Sequence, residues 1–276
     1  MPTVQVNGVD LFYETHGGGG DPVVLVHGSC VDHHSWDLVT PGLSQALQVV
    51  AYDRRGHGQS SLGVRRQPVR DDAADLAALM VALDHYPAHI VAHSYGGAVA
   101  LRLAIDRPEM VRSLAMHETP FVGLLAGDPS TAPELDRLSE EVEAIRTLVH
   151  AGRPEAGMER LVDTFSTEPG AWTRLPPAMR ATFVRHADRW AEEYEDPDAL
   201  APDPAGLHDL LIPVLLTEGS LSPRFLHRVT QALAARLRNA QVLELPDVGH
   251  APHLARPHQY VGLLVNFLLE RNVPVT

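Results

Sequence analysis

Three short apolar runs, Pro22–Val26, Gln48–Tyr52 and 88–92, constrain the fold more than any other feature of the chain. They are rich in Val, Ile and Ala and end on polar residues or glycine, without the alternation of a half-exposed strand. Such runs fit parallel strands covered on both faces. Helix-length segments lie between them, including 71–84 with Ala, Leu and Met at helical spacing. Strands alternating with helices imply βαβ units. Upstream, Thr3–Val6 and 11–15 read as a hairpin turning at Asn7-Gly8. Downstream come a helix (96–106), strands at 112–117 and 213–217, a helix (223–238), a strand (241–245) and a last helix (255–270). The expected class is therefore α/β: a mostly parallel central sheet of about eight strands flanked by helices.

Between the strands at 112–117 and 213–217 no strand pattern is visible. The segment reads as helices punctuated by Pro and Gly, at 133–150, 154–165 and 176–194. An insertion at the C-terminal end of a parallel strand sits over the ligand crevice, so 120–205 is expected to be a helical cap. The core is then 1–119 together with 206–276. The Gly17–Gly20 run precedes a strand rather than a helix, which makes it a loop and not a phosphate cradle.

Composition removes whole classes of function. The 22 basic residues are all Arg, against 35 acidic ones, for a net charge of −13. Without any Lys there is no Schiff-base chemistry, no pyridoxal phosphate attachment and no phosphate-loop lysine. The acidic balance argues against a nucleic-acid partner. Cys30 is the single cysteine, so neither an internal disulfide nor a Cys-rich zinc site can form. No apolar run approaches the ~18–20 residues of a membrane span, and the N-terminus lacks a basic start followed by an apolar stretch. A cytoplasmic protein without membrane association is expected.

Ala92-His93-Ser94-Tyr95-Gly96-Gly97 follows a buried strand and opens a helix. Small residues at 92 and 96 permit a tight strand-to-helix turn that pushes the Ser94 hydroxyl out of the sheet top. A capping serine is the plainer alternative. Other segments fall on the same edge of the sheet: His27-Gly28-Ser29, the stretch from Asp53 to Ser60, and Asp247-Val248-Gly249-His250. Together these motifs resemble a capped α/β-hydrolase over essentially all of the chain outside the cap.

That resemblance implies a nucleophile, an acid and a histidine in this chain order, with Ser94 the nucleophile and His250 the base. An Asp in place of Ser94 would have implied dehalogenase or epoxide hydrolase chemistry. The family commonly places its acid three residues past a Gly after the strand at 213–217, but Ser222 stands there, and Ser cannot orient a histidine as a carboxylate does. Glu118 is the replacement by geometry. From Ser94 a helix of ~11 residues descends ~16 Å, and a strand of ~7 residues climbs ~23 Å back to the same edge. Zearalenone-type lactone hydrolases carry a His-Glu-Leu-Pro stretch similar to His117-Glu118-Thr119-Pro120. Glu218 is the second candidate; Asp209 and Asp247 come after it. The resemblance also implies an oxyanion hole of backbone N–H groups from Tyr95 and Ser29, with Cys30 open as the donor in place of Ser29.

Trp36, Trp172 and Trp190 are candidates for an apolar substrate pocket. The 16 histidines do not make a metal site: His33 and His34 point apart, Pro252 spoils a His250/His253 pair, and the stretch at His117 lacks a second His at zincin spacing. Gly56-His57-Gly58 is no dinucleotide fingerprint, since Ser61 replaces the third Gly; His57 reads as structural. No metal or cofactor is expected. The implied function is a serine hydrolase cleaving an ester, lactone or thioester of a small to mid-sized apolar molecule through a Ser-His-Glu triad and an acyl-enzyme. Two alternatives stay open on the same fold: a non-hydrolytic lyase, decarboxylase or cyclase, and a ligand-binding module. The partner is a small-molecule substrate, and the oligomeric state is not legible.

Overall fold

The structure is a computed structural model that describes residues 2–64, 68–167 and 170–269. Its strands are β1 (Thr3–Val6), β2 (Val9–His16), β3 (Pro22–Val26), β4 (Gln48–Tyr52), β5 (Ala88–His93), β6 (Val111–His117), β7 (Val214–Gly219) and β8 (Ala240–Leu245). They form an eight-stranded sheet in the order β1-β2-β4-β3-β5-β6-β7-β8. The β1/β2 and β2/β4 pairs are antiparallel and all the others parallel. Asn7 and Gly8 both have positive φ (46° and 78°), the two-residue turn that matches strand twist.

Alternation along the strands sorts the core into two layers. Val24 and Val26, Ile90 and Ala92, Leu114 and Met116, and Val214 and Leu216 pack on one side of the sheet. Val23, Leu25, Val91, Ala115 and Leu215 pack on the other. Burial on both faces is why these strands carry no polar alternation. The first layer is closed by α1 (Pro68–Ala82) and α2 (Tyr95–Asp106), which bury Leu76, Leu79, Val99 and Leu103. Further along, Val229 and Leu233 lie on the inner stripe of a helix following β7.

All described secondary structure between β6 and β7 is helical, as expected. It includes α3 (Ala132–His150), α4 (Pro154–Thr164), α5 (Pro177–Arg185) and α6 (Ala187–Glu195). These helices have their own apolar cluster, centred on Ile145, Met158, Leu161, Trp172 and Trp190. The helix expected at 176–194 is broken. His186 leaves helical geometry (φ −102°, ψ 12°) between α5 and α6. The reason is tertiary: its Nε2 accepts the Gly58 N–H at 3.2 Å, which no local breaker residue announces. After β7 come α7 (Arg224–Ala234), shorter than the expected 223–238, and α8 (Pro257–Leu268). The expected helix 255–270 thus starts at Pro257, after a separate turn at Pro252–Ala255, and Glu270 lies outside the described residues. Among the described residues, no helix is long and apolar enough to cross a membrane.

Candidate active site

The sheet reverses its winding at β3: β4 lies on one side of it and β5 on the other. Ligands bind at the strand C-termini beside such a switch, and the loops after β3 and β5 carry His27-Gly28-Ser29 and Ser94. Ser94 sits between β5 and α2 at φ 52° and ψ −123°, a conformation costing about 1–3 kcal/mol for a residue with a side chain. Its N–H donates to the His117 carbonyl at 2.9 Å, which holds the turn against the end of β6. Gly96 makes the turn possible. A Cβ there would stand 2.4 Å from the Val26 carbonyl oxygen and 2.6 Å from that of His27. Gly96→Ala must therefore drive α2 away from β3. Overpacking of this kind costs about 2–3 kcal/mol, so a fall of about 5–10 °C in Tm is expected. An unchanged thermal melt would contradict the close approach.

His93 pairs with His117 in the β5/β6 register, so Ser94 and Glu118 leave neighbouring strands at the same edge. Glu118 is buried and has φ 45°, a left-handed backbone that turns its side chain toward the loop after β8. One carboxylate oxygen, Oε1, accepts the Gly219 N–H at 2.8 Å; Oε2 stands 2.7 Å from His250 Nδ1 and 3.5 Å from His117 Nε2. Burial opposes the charge, but the imidazoles of His117 and His250 overcome it and hold the carboxyl well below the usual carboxylate range. A carboxyl depressed in the folded state stabilises the fold fully above the ordinary glutamate pKa of about 4.3, and this contribution is lost as pH falls from there.

The other candidate acids face elsewhere. Glu218 accepts from Gln231 Nε2 at 3.1 Å and lies 3.5 Å from His227 Nδ1, both on α7. Its neighbouring positions in β7 alternate faces, which explains why Glu218 turns away from His250. Burial pushes its carboxyl up. Asp209 is exposed at the end of the turn Pro204–Asp209, next to His208. Asp247 lies on the surface loop after β8, its N–H bonded to Ser220 Oγ at 2.9 Å. Ser222 is buried and is not part of the cavity wall.

Ser94 and His250 line one cavity of about 300 Å³. Its remaining wall is mostly apolar and comes largely from the helical insertion: Leu161, Phe165, Met179, Phe183 and Trp190 among others. Ser29 lines it too, whereas the Cys30 thiol is buried against Met158 Sδ at 3.5 Å. The β3 loop reaches Ser94 directly: a Cβ on Gly28 would be 3.2 Å from Ser94 Cβ. Tyr95 is the first residue of α2, where the backbone N–H groups of a helix N-terminus favour negative charge nearby. A serine on a strained turn and an imidazole held by a buried carboxylate, beside the β3 loop and a helix N-terminus, are parts suited to acyl transfer.

The sequence profile of the alpha/beta hydrolase family matches residues 23–263. The chain belongs to the alpha/beta hydrolase family. It is 38% identical over 275 residues to the dihydrolipoyllysine-residue acetyltransferase component of the acetoin cleaving system of Pseudomonas putida, across 93% of this chain. It spans only 66% of that relative's length. The magnesium-chelatase 30 kDa subunit of Rhodobacter capsulatus is 38% identical over 281 residues, which cover 96% of this chain and 93% of the relative. The 2-hydroxymuconate semialdehyde hydrolase of Pseudomonas sp. (strain CF600) is 29% identical, with 92% and 88% covered. Among solved structures, the enol-lactonase from Burkholderia xenovorans LB400 has a TM-score of 0.77 at 22% identity, over 97% of this chain and 100% of that one.

In this alpha/beta hydrolase the three tryptophans separate. Trp190 lines the cavity. Trp36 does not; it is wholly buried in the core layer shared with β3 and β4, its ring 4.9 Å from His253. Trp172 is buried within the core of the helical insertion and is likewise absent from the cavity wall. Large apolar side chains are scarce here, and these two fill the interior. Sequence reasoning missed His93, whose Nε2 donates to the His250 backbone carbonyl at 2.6 Å and anchors the loop that carries His250. Burial and the neighbouring histidines push His93 well down, and the same causes bring His253 down to about 3, so both are neutral imidazoles. His117, Glu118 and His250 place donor atoms within 4.8 Å of one another, but both Glu118 oxygens are already engaged by Gly219 and His250.

Proposed function

We propose that the chain is a serine hydrolase cleaving a neutral ester, lactone or thioester of a small to mid-sized apolar molecule. One observation carries it: His250 Nδ1 lies 2.7 Å from the buried Glu118 carboxylate while His250 and Ser94 line the same apolar cavity. Glu118 accepts a hydrogen bond from the Nδ1–H and so fixes the tautomer that leaves Nε2 free to act as a base. His250 removes the Ser94 proton as the hydroxyl oxygen attacks the substrate carbonyl. The N–H groups of Tyr95 and Ser29 hold the oxyanion. His250 then protonates the departing alkoxide or thiolate, leaving an ester on Ser94. Water, deprotonated by His250, attacks that ester, and the acid departs as the proton returns to Ser94. The helical insertion acts as a cap that shapes the acyl site.

The cavity wall supports the substrate class. Among the described lining residues there is no Arg, Asp or Glu; the polar ones are Ser, Thr, His, Tyr194 and the indole of Trp190, all of them uncharged or only weakly basic. A substrate carboxylate in this wall would lack a charged partner and would lose its hydration. Hydrolysis also fits the relative named as a 2-hydroxymuconate semialdehyde hydrolase. Neutral p-nitrophenyl esters from acetate to octanoate are expected to be turned over. A p-nitrophenyl hemiester of succinate should have kcat/KM at least about 100-fold lower than the butyrate, roughly the cost of an unpaired buried charge. Equal values would overturn the neutral-substrate assignment. No turnover of any ester by folded protein would favour the lyase, decarboxylase, cyclase or ligand-binding alternatives.

A further inference from the structure

Arg54, two residues past β4, has no role in the steps above, yet its guanidinium reaches both segments that flank the nucleophile. Nη1 donates to Asp72 Oδ2 on α1 at 2.7 Å, and Nη2 pairs with Glu193 Oε1 on α6 at 2.7 Å, all three side chains fully buried. Nε donates to the His27 carbonyl at 3.2 Å and Nη2 to the Gly28 carbonyl at 3.0 Å. The guanidinium carbon also lies 4.7 Å from the centre of the Tyr95 ring. Glu193 has a second contact: the Ser29 hydroxyl donates to its Oε2 at 2.5 Å.

The Gly28 carbonyl and the Ser29 N–H belong to one planar peptide unit, and in a trans peptide they point in opposite directions. Gripping the carbonyl from behind with a cation fixes where the N–H points and polarises it toward stronger donation. Glu193 completes the grip from the helical insertion, holding Arg54 and the Ser29 side chain together.

We infer that Arg54 and Glu193 are positioning residues for the oxyanion hole, coupling its Gly28–Ser29 peptide to the seating of the helical insertion. This rests on the hydrolase reading of Ser94. A pair serving only to dock the insertion would affect melting or substrate affinity; a positioning pair affects the step in which the oxyanion forms.

The test compares wild type, Glu193→Gln and Ser29→Ala, using p-nitrophenyl butyrate kinetics and the second-order rate of phosphonylation by a fluorophosphonate. Loss of an oxyanion donor costs about 10²–10³ in kcat, and misalignment is expected to cost part of that. Glu193→Gln should lose at least about 10-fold in kcat with KM within about 3-fold, and its labelling rate should fall by a similar factor. Ser29→Ala keeps the backbone N–H and the Arg54–Glu193 pair, so it decides the matter if Glu193→Gln does not fold. It should lose about 3–10-fold in kcat, again without a matching change in KM. Folded Glu193→Gln with wild-type kcat and labelling rate overturns the inference; so does wild-type kcat in Ser29→Ala where Glu193→Gln is unfolded. Failure of the hydrolase reading is distinguishable, because wild type itself would then neither label at Ser94 nor turn over ester.

Discussion

Ser94→Ala is expected to lower kcat for p-nitrophenyl butyrate by about 10⁴–10⁶-fold. In the proposed mechanism the hydroxyl forms the acyl-enzyme, so no neighbouring group could take over its part; what would remain is binding and oxyanion stabilisation. The fold should survive. Ser94 is 9% exposed, its backbone contact to His117 uses the N–H rather than the side chain, and alanine retains the Cβ. The thermal melt should therefore stay at or slightly above wild type, since strained sites are kept for function rather than stability. Residual activity above about one hundredth of wild type, with the melt unchanged, would remove Ser94 from the chemistry.

Glu118→Gln should cost about 10³–10⁴-fold in kcat. Glutamine is nearly isosteric, so the Gly219 contact can persist, but the amide cannot fix the His250 tautomer or stabilise the imidazolium as a carboxylate does. Glu218→Gln is the control, because its carboxylate faces Gln231 and His227 on α7 instead of the cavity. That variant is expected to stay within about 3-fold of wild type in kcat, because the buried Glu218 carboxylate is engaged by Gln231 and His227 and not by His250. The comparison is read from ester kinetics on the two purified variants. The reverse pattern, Glu118→Gln active and Glu218→Gln dead, would transfer the acid to β7.

The middle of the sheet was legible because its strands, β3 to β7, are largely buried on both faces, and runs such as Val23–Leu25 leave little ambiguity once helices separate them. The place of Glu118 at the sheet edge was legible for a related reason: strand and helix rises fix where a chain returns, and β6 does pair beside β5. What stayed hidden depends on contacts distant in sequence. The break at His186 comes from a hydrogen bond to Gly58, 128 residues away. The fate of each tryptophan depends on which layer its element joins, so Trp36 and Trp172 became core while Trp190 reached the cavity. Nothing in the run Glu192-Glu193-Tyr194-Glu195 sets Glu193 apart from its acidic neighbours. Its partner Arg54 sits in a different segment, and only tertiary packing buries the two together.

Intact mass after incubation with a fluorophosphonate reads whether Ser94 is an activated nucleophile. Wild type should gain the mass of one phosphonyl adduct, and Ser94→Ala, folded by its thermal melt, should gain none. No adduct on folded wild type, or an adduct that persists in Ser94→Ala, would contradict that role.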